Sequence, residues 1–218
     1  MTKYLIGIIL AFSIAFSAAA GDQVTALRTI QQEWARIKYQ TPDENTQEEQ
    51  IKALSAAAAL AVEHHQGEAD YLIWHAIVLA TQAGMDGGLG ALGKVKRARK
   101  LLERAEKIDS AALGGSIPTS LGSLYYQVPG WPLGFGSKKK ARKYLLKGLS
   151  INPAGLDTNF FYGDFLFERG EFNRARAVLS KALEAADRPN RPIADAGRRE
   201  EIRVLLSKIA KKTGANSR

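Results

Sequence analysis

Four side chains of metal-ligand type lie close together in the sequence, at His64, His65, Glu68 and Asp70. Imidazole and carboxylate groups hold a metal ion when three or four of them converge on one point. Adjacent side chains on a helix point about 100° apart, so the two histidines do not face the same ion. Gly67 also interrupts the helix that would bring His65 and Glu68 onto one face. We therefore predict no metal site here.

A glycine-rich run, GLGALGK at residues 88–94, has the spacing of loops that hold phosphate groups. Such a loop needs a strand before it and a helix after it, because the phosphates bind at the start of that helix. The preceding segment has helical spacing instead, and Val95 stands where a P-loop has the serine or threonine that binds magnesium. We therefore predict an inserted turn over residues 84–93 and no nucleotide or other cofactor.

The composition argues against the common catalytic centres. The 218-residue chain has no cysteine and only three histidines, which excludes thiol catalysis, disulfides and iron–sulfur clusters. No serine–histidine–aspartate order and no pair of spaced carboxylates stands out. The sequence therefore predicts a protein that is not an enzyme. Its formal net charge of +9 favours acidic proteins or anionic surfaces as partners.

Residues 1–20 have the pattern of a secretory signal peptide. Lys3 precedes an apolar stretch over residues 4–16, and Ala18 and Ala20 supply the small residues of a cleavage site. The stretch is shorter than the roughly 20 residues of a membrane-spanning helix. We expect a cleaved leader and a periplasmic or secreted protein that does not meet nucleic acid. A membrane anchor formed by residues 4–20 is the alternative.

Apolar residues recur at helical spacing along the rest of the chain, and three segments repeat one pattern. The segments begin at Gly93, Gly136 and Gly170 and share alanine and leucine columns, namely Ala98, Ala141 and Ala175, then Leu102, Leu145 and Leu179. The alanines are 43 and then 34 residues apart. Small residues let two helices approach closely, and the leucine fills the seam between them. A period of 34 residues is that of the tetratricopeptide repeat.

Residues 158–188 resemble a complete tetratricopeptide repeat (TPR), with Gly163 in the first helix, Gly170 in the turn and Ala175 and Ala182 in the second helix. The resemblance implies an all-α fold, a TPR-type solenoid of helical hairpins between helical caps. The implied parts are an N-terminal helical pair at 21–67, three units at 68–188 with inserted turns at 84–93 and 129–136, and a C-terminal capping helix and tail at 189–218.

The resemblance implies a scaffold that binds other molecules, because this repeat serves many functions without chemistry of its own. A looser similarity is to the T component of tripartite (TRAP) solute transporters, through the long turn with Pro129, Gly130, Trp131 and Pro132. That group usually begins as a lipoprotein, and this chain lacks the cysteine. Our main hypothesis is a non-catalytic periplasmic or secreted module that binds a protein partner. A small-molecule-binding or transporter-accessory protein is the alternative, and an uncharacterised enzyme is the third.

The candidate binding surface is the concave groove formed by the first helices of the units. In the register of the family, the residues that face this groove or its mouth are Tyr126, Gln127, Trp131, Phe160, Asp164, Phe167 and Glu168. Aromatic rings with a few carboxylates suit an extended peptide or a small amphipathic ligand. Trp131 either plugs the groove between neighbouring repeats, which we favour, or lines the mouth of a ligand site. Phe160 and Phe167 alternatively pack under the C-terminal helix.

The second helices carry a basic stripe, which we define by Lys96, Arg99, Lys139 and Arg142. Stacked repeats would align these residues on the convex side or at the turn edge. The stripe would attract an acidic partner or anionic lipid, more weakly at high salt. A solvated face that keeps the protein soluble is the alternative.

Overall fold

The computed structural model describes residues 26–215, and these residues form nine helices and no strand. The prediction of an all-α fold is therefore confirmed. The signal peptide predicted for residues 1–20 lies outside the described residues. Within residues 26–215, no helix combines the length and the apolar character that a membrane crossing requires.

The helices follow one another as stacked hairpins, in which α3 packs against α4, α5 against α6 and α7 against α8. Helix α1 covers residues 26–40, and the others are α2 (Glu44–His64), α3 (Ala69–Asp86), α4 (Gly88–Ile108), α5 (Ser116–Gln127), α6 (Lys138–Ile151), α7 (Leu156–Glu168), α8 (Phe172–Leu183) and α9 (Pro192–Ala215).

Small residues of the repeat lie in the seams of the hairpins. Ala98, Ala141 and Ala175 are each 0% exposed. A Cβ atom added at Gly163 of α7 would lie 2.6 Å from Cγ of Leu179 on α8. The two helices therefore approach each other through a contact that only glycine permits.

The segment at residues 84–93 differs from the prediction of an inserted turn. Helix α3 continues to Asp86 and α4 begins at Gly88, so Gly87 alone separates the two helices. Lys94 Nζ lies 2.6 Å from Asp86 Oδ2 and joins the two helix ends. The helix forms despite the low helix propensity of the glycines, and α4 packs against α3. The run at 88–94 therefore follows a helix and lies within α4, without the geometry of a phosphate loop.

Helix α9 reaches back to the first helix instead of only covering the last repeat. Gly197 packs on the ring of Tyr39, so closely that an added Cβ would lie 2.3 Å from it. Glu201 Oε1 lies 2.9 Å from Lys38 Nζ of α1. Ala194 joins the apolar cluster of α1 to α3. Helix α9 therefore connects the last hairpin with the beginning of the solenoid across its concave side.

Candidate functional site

The concave side holds a cavity of about 1360 Å³. Helices α1, α3, α5 and α7 contribute its walls, and α9 with the segment before it borders the cavity. The aromatic part of the lining comprises Trp34, Tyr39, Trp74, Phe160 and Phe161, and the polar part includes Gln31, Thr81, Ser120, Ser123, Gln127 and Asp164. A large concave surface with aromatic walls and scattered polar groups is typical of a binding site.

An ion-pair network, which we call the α9 clasp, fixes α9 over this cavity. Asp157 of α7 accepts hydrogen bonds from Arg188 Nη1 at 2.8 Å and from Arg198 Nε at 2.9 Å. Arg198 also donates to Glu201, which pairs with Lys38 of α1. Burial opposes ionisation of Asp157, but the guanidinium groups of Arg198 and Arg188 outweigh it and hold the pKa of this carboxyl well below its usual range.

Arg198 is the centre of the clasp because it is both paired and buried. Its side chain is 5% exposed. The guanidinium carbon lies 4.2 Å from the ring centroid of Phe160 and 4.8 Å from that of Phe161. A cation over an aromatic face is attracted by the ring quadrupole, more strongly where water is excluded. The clasp therefore also covers part of the aromatic wall that the sequence placed in the groove.

Arg191 differs from the other arginines around the cavity because none of the described carboxylates pairs with it. Its Nε atom is buried without a hydrogen-bond partner among the described residues. The guanidinium carbon lies 4.7 Å from the ring centroid of Trp74. Burial and the neighbouring charge of Arg188 lower the pKa of Arg191, while the carboxylates of Asp157 and Asp195 act in the opposite direction. A negatively charged group that entered the cavity would therefore find a guanidinium group with an unused donor beside an aromatic ring.

Tyr126 and Asp164 form a polar contact between α5 and α7. The Tyr126 hydroxyl donates to Asp164 Oδ2 at 2.5 Å, and Gln127 Nε2 donates to the same hydroxyl at 3.1 Å. Burial raises the pKa of Asp164 and of Tyr126 above their ordinary values. Burial therefore disfavours the charged form of both groups, and their hydrogen bond joins α5 to α7 at the wall of the cavity.

The structure brings three of the predicted groove residues into the cavity lining, namely Gln127, Phe160 and Asp164. Tyr126 is hydrogen-bonded to two of them, Asp164 and Gln127. Phe167 and Glu168 are not part of the lining, because the last turn of α7 runs toward the α8 hairpin. There the Phe167 ring packs 5.6 Å from that of Phe172, and Glu168 is exposed.

The prediction that Trp131 plugs the groove is wrong. Its side chain is 89% exposed on the loop between α5 and α6. Phe135 of the same loop makes the inward contact instead, with its ring edge-on to that of Tyr125 at 5.7 Å. One aromatic residue is sufficient to attach the loop, so Trp131 is left outside the cavity.

The basic stripe is divided into two free and two engaged residues. Lys96 and Lys139 are exposed. The Arg99 guanidinium carbon lies 4.4 Å from the ring centroid of Phe135. Arg142 pairs with Glu171 at the start of α8. The two arginines therefore join neighbouring elements, and a continuous stripe of four available cations is not present.

The cluster of metal-ligand types at residues 64–70 is engaged in other contacts. His65 Nδ1 lies 3.3 Å from Glu68 Oε1, and the His65 ring stacks on Tyr71 with 4.0 Å between centroids. Among residues 26–215, no three side chains of ligand type lie close enough together to hold a metal ion.

Sequence reasoning missed Arg191, Arg198 and the walls formed by Trp34 and Trp74. One signal for Arg198 was present, because it lies in helical register with the apolar residues Ile202, Leu205 and Ile209 of α9. An arginine on an apolar helix face must find a buried counter-charge. No comparable signal marked Arg191, since its place in the cavity depends on the path of α9.

Comparison with solved structures shows which class of fold this is. A TPR protein of Thermus thermophilus superposes with a TM-score of 0.62 and 19% sequence identity, over 88% of this chain and 83% of that one. The chain therefore has the helical-hairpin solenoid fold of tetratricopeptide repeat proteins, as the resemblance in its sequence implied. No protein-family model matches the sequence, and no curated protein is detectably similar to it.

A buried histidine in α3 makes stability depend on pH. His75 is 2% exposed, and burial together with Arg97 lowers its pKa from the ordinary 6.5 to about 4. Between these values the unfolded chain binds more protons, so this contribution to stability is lost as the pH falls. From pH 7 to pH 4.5 we expect His75 to remove about 2 kcal/mol.

The prediction is checked by urea unfolding of His75→Leu and the unaltered protein at both pH values. The variant should lose the part of the pH dependence that His75 causes, while His64→Leu, at an exposed position, should not. An identical pH dependence in all three proteins would contradict the prediction.

Proposed function

We propose that the protein is a non-catalytic interaction module that binds an extended segment of a protein partner in its concave cavity. The observation that carries this proposal is the cavity of about 1360 Å³ with aromatic walls and with Arg191, whose Nε atom has no hydrogen-bond partner among the described residues. Pockets for small molecules usually have volumes of about 300–1,000 Å³. The size of this cavity therefore favours several residues of a polypeptide over one small molecule.

The lining indicates the chemistry of the bound segment. Arg191 suits a carboxylate, from an acidic side chain or a chain terminus, because its Nε atom has no hydrogen-bond partner among residues 26–215. Trp34, Trp74 and Phe161 suit apolar side chains next to that carboxylate. The partner segment is therefore acidic and apolar. The basic face of the protein would help to attract it.

A small amphipathic anion is the second candidate ligand, and it corresponds to the carrier or transporter-accessory hypothesis. It is favoured by the α9 clasp, because a helix fixed across the concave side hinders the entry of a polypeptide segment more than that of a small molecule. For either ligand we propose a periplasmic or secreted location, on the strength of the leader pattern in residues 1–20. The natural source of ligand is then the cell envelope or the medium.

A photo-crosslinking residue in place of Ser120, which lines the cavity, tests the proposal. We expect illumination in the producing cells to give an adduct with a protein, identified by mass spectrometry. The same residue in place of the exposed Lys143 on α6 is the matched control and should not give this adduct. If purified protein instead carries a small molecule in native mass spectra and no protein adduct forms, the second candidate is correct.

Arg191→Gln is expected to reduce the crosslink from position 120 by about tenfold or more, because hydrogen bonds to a charged group are among the stronger polar contacts. Arg191→Lys retains the charge and should retain part of the yield. Arg203→Gln alters an exposed arginine of α9 and should change nothing. Urea unfolding of each variant separates loss of binding from loss of fold. An undiminished adduct in folded Arg191→Gln would remove the anion site from the proposal.

A further inference from the structure

Residues 128–137 form the loop between α5 and α6, which we call the tip loop. This loop is compact and is held by hydrogen bonds within it. The Gly134 amide donates to the Gly130 carbonyl at 3.0 Å, and the Gly136 amide donates to the Pro129 carbonyl at 2.9 Å. A Cβ atom at Gly136 would lie 1.9 Å from the Val128 carbonyl oxygen. The loop therefore has a fixed path that depends on its glycines.

The base of the tip loop is attached and its apex is not. Val128 is 8% exposed, and Phe135 lies between the Tyr125 ring and the Arg99 guanidinium group. At the apex, Trp131 and Leu133 are 89% and 69% exposed. A fixed loop thus holds two large apolar side chains in water, which is unfavourable unless another surface receives them.

Lysines surround this apolar apex. Lys138, Lys139 and Lys140 form the first turn of α6 and are exposed, and none of them forms an ion pair with a described residue. Lys140 Nζ lies 5.3 Å from the ring centroid of Tyr125, so Lys138 and Lys139 are the lysines without a contact of this kind. This helix has no acidic residue in its first turn. Positive charges at a helix amino terminus oppose the helix dipole, so their position reduces helix stability. Lysines that weaken their own helix beside an exposed tryptophan indicate a role outside the fold.

We propose that the tip loop docks the protein on an anionic lipid bilayer, with Trp131 and Leu133 in the interfacial layer and the lysines on the headgroups. Tryptophan prefers the boundary between hydrocarbon and water, and basic residues beside it are attracted to anionic lipid. A second copy of the same loop is disfavoured as the occupant, because the two lysine clusters would face each other. This surface is separate from the cavity and does not depend on the function proposed for it.

Tryptophan fluorescence tests the proposal on the full chain. Trp34 and Trp74 are 6% and 3% exposed, so Trp131 is the one tryptophan that a lipid can reach in the described fold. Vesicles contain brominated phosphatidylcholine with or without about one third phosphatidylglycerol, at low salt. We expect a blue shift and quenching with the anionic vesicles, little change with the neutral ones, and loss of the effect in Trp131→Ala.

The lysines are tested by Lys138→Gln with Lys139→Gln, which should weaken binding to the anionic vesicles about thirtyfold at low salt. The exposed pair Lys208 and Lys211 on α9, changed in the same way, is the control and should have little effect. Absence of quenching, or equal quenching by neutral and anionic vesicles, would overturn the proposal. So would concentration-dependent self-association, or an adduct between the tip loop and an acidic protein, if either occurred without lipid quenching.

Discussion

Arg198→Met is expected to lower the free energy of unfolding by about 3 kcal/mol, which is a large part of the stability of a single domain. The substitution removes a buried charge that pairs with Asp157 and Glu201 and stacks on two phenylalanine rings. Breaking one side of a buried ion pair leaves the other side uncompensated. We expect the loss of unfolding free energy to lie near the lower end of the range for broken buried ion pairs, because Asp157 keeps its contact with Arg188.

Urea unfolding measures this effect, and hydrogen exchange shows where it acts. We expect faster exchange in α9 of the variant, because α9 loses its main connection to α7. Arg203→Met is the matched control on the same helix. Its partner is Glu200, and the two side chains are 58% and 66% exposed. Exposed pairs contribute little, so the control should change stability by less than about 0.5 kcal/mol. Equal losses of stability in Arg198→Met and Arg203→Met would contradict the proposed contribution of the clasp.

The clasp also has a pH dependence of definite sign. The pKa of Asp157 is held below its ordinary value of 3.8 in the folded protein. Its contribution is therefore complete above that value and is lost as the pH falls below it. We expect Asp157→Asn to destabilise the protein at pH 7 and to reduce the further loss below pH 4.

The second large effect is expected at the repeat seam, where Gly163→Ala should destabilise the protein by about 2 kcal/mol. The added methyl group would lie 2.6 Å from Leu179 Cγ, and Leu179 is 0% exposed. The seam must open or the leucine must leave its rotamer. Leu179→Ala alone should cost about 2–5 kcal/mol, because it leaves a cavity. The double variant should lose less free energy of unfolding than the sum of the two single losses. The methyl group added at position 163 no longer meets the leucine side chain, and it occupies part of the space that this side chain leaves.

Gly93→Ala is the matched control in α4. It is also a glycine-to-alanine change within a helix, but no atom lies within 4 Å of the added Cβ position. Alanine is the better helix former, so this variant should be more stable by about 0.5–1 kcal/mol. Opposite signs at positions 163 and 93, measured by urea unfolding, would support the close contact of α7 with α8. Stabilisation at both positions would contradict it.

The sequence alone determined the helical hairpins, because each is specified within one repeat. Ala98, Ala141 and Ala175 recur with leucines at fixed spacing, and a helix-on-helix seam needs small residues at those points. The register that the resemblance implied placed Gln127, Phe160 and Asp164 on the concave side. The prediction of an inserted turn at residues 84–93 failed, because α3 and α4 continue through most of this segment despite the low helix propensity of glycine.

Only the tertiary structure decided where α9 lies, and with it the form of the cavity. Tyr39 donates a hydrogen bond to Glu201, which lies 162 residues further along the chain, and no periodic pattern in the sequence predicts such a contact. The unused donor of Arg191 follows from the same placement, because Arg188 and Arg198 hold the closer contacts with Asp157 and Asp195. Trp131 is outside the cavity because Phe135 already attaches its loop. Repeats fix the contacts between adjacent helices, whereas long-range contacts and charge pairs depend on how the whole solenoid curves.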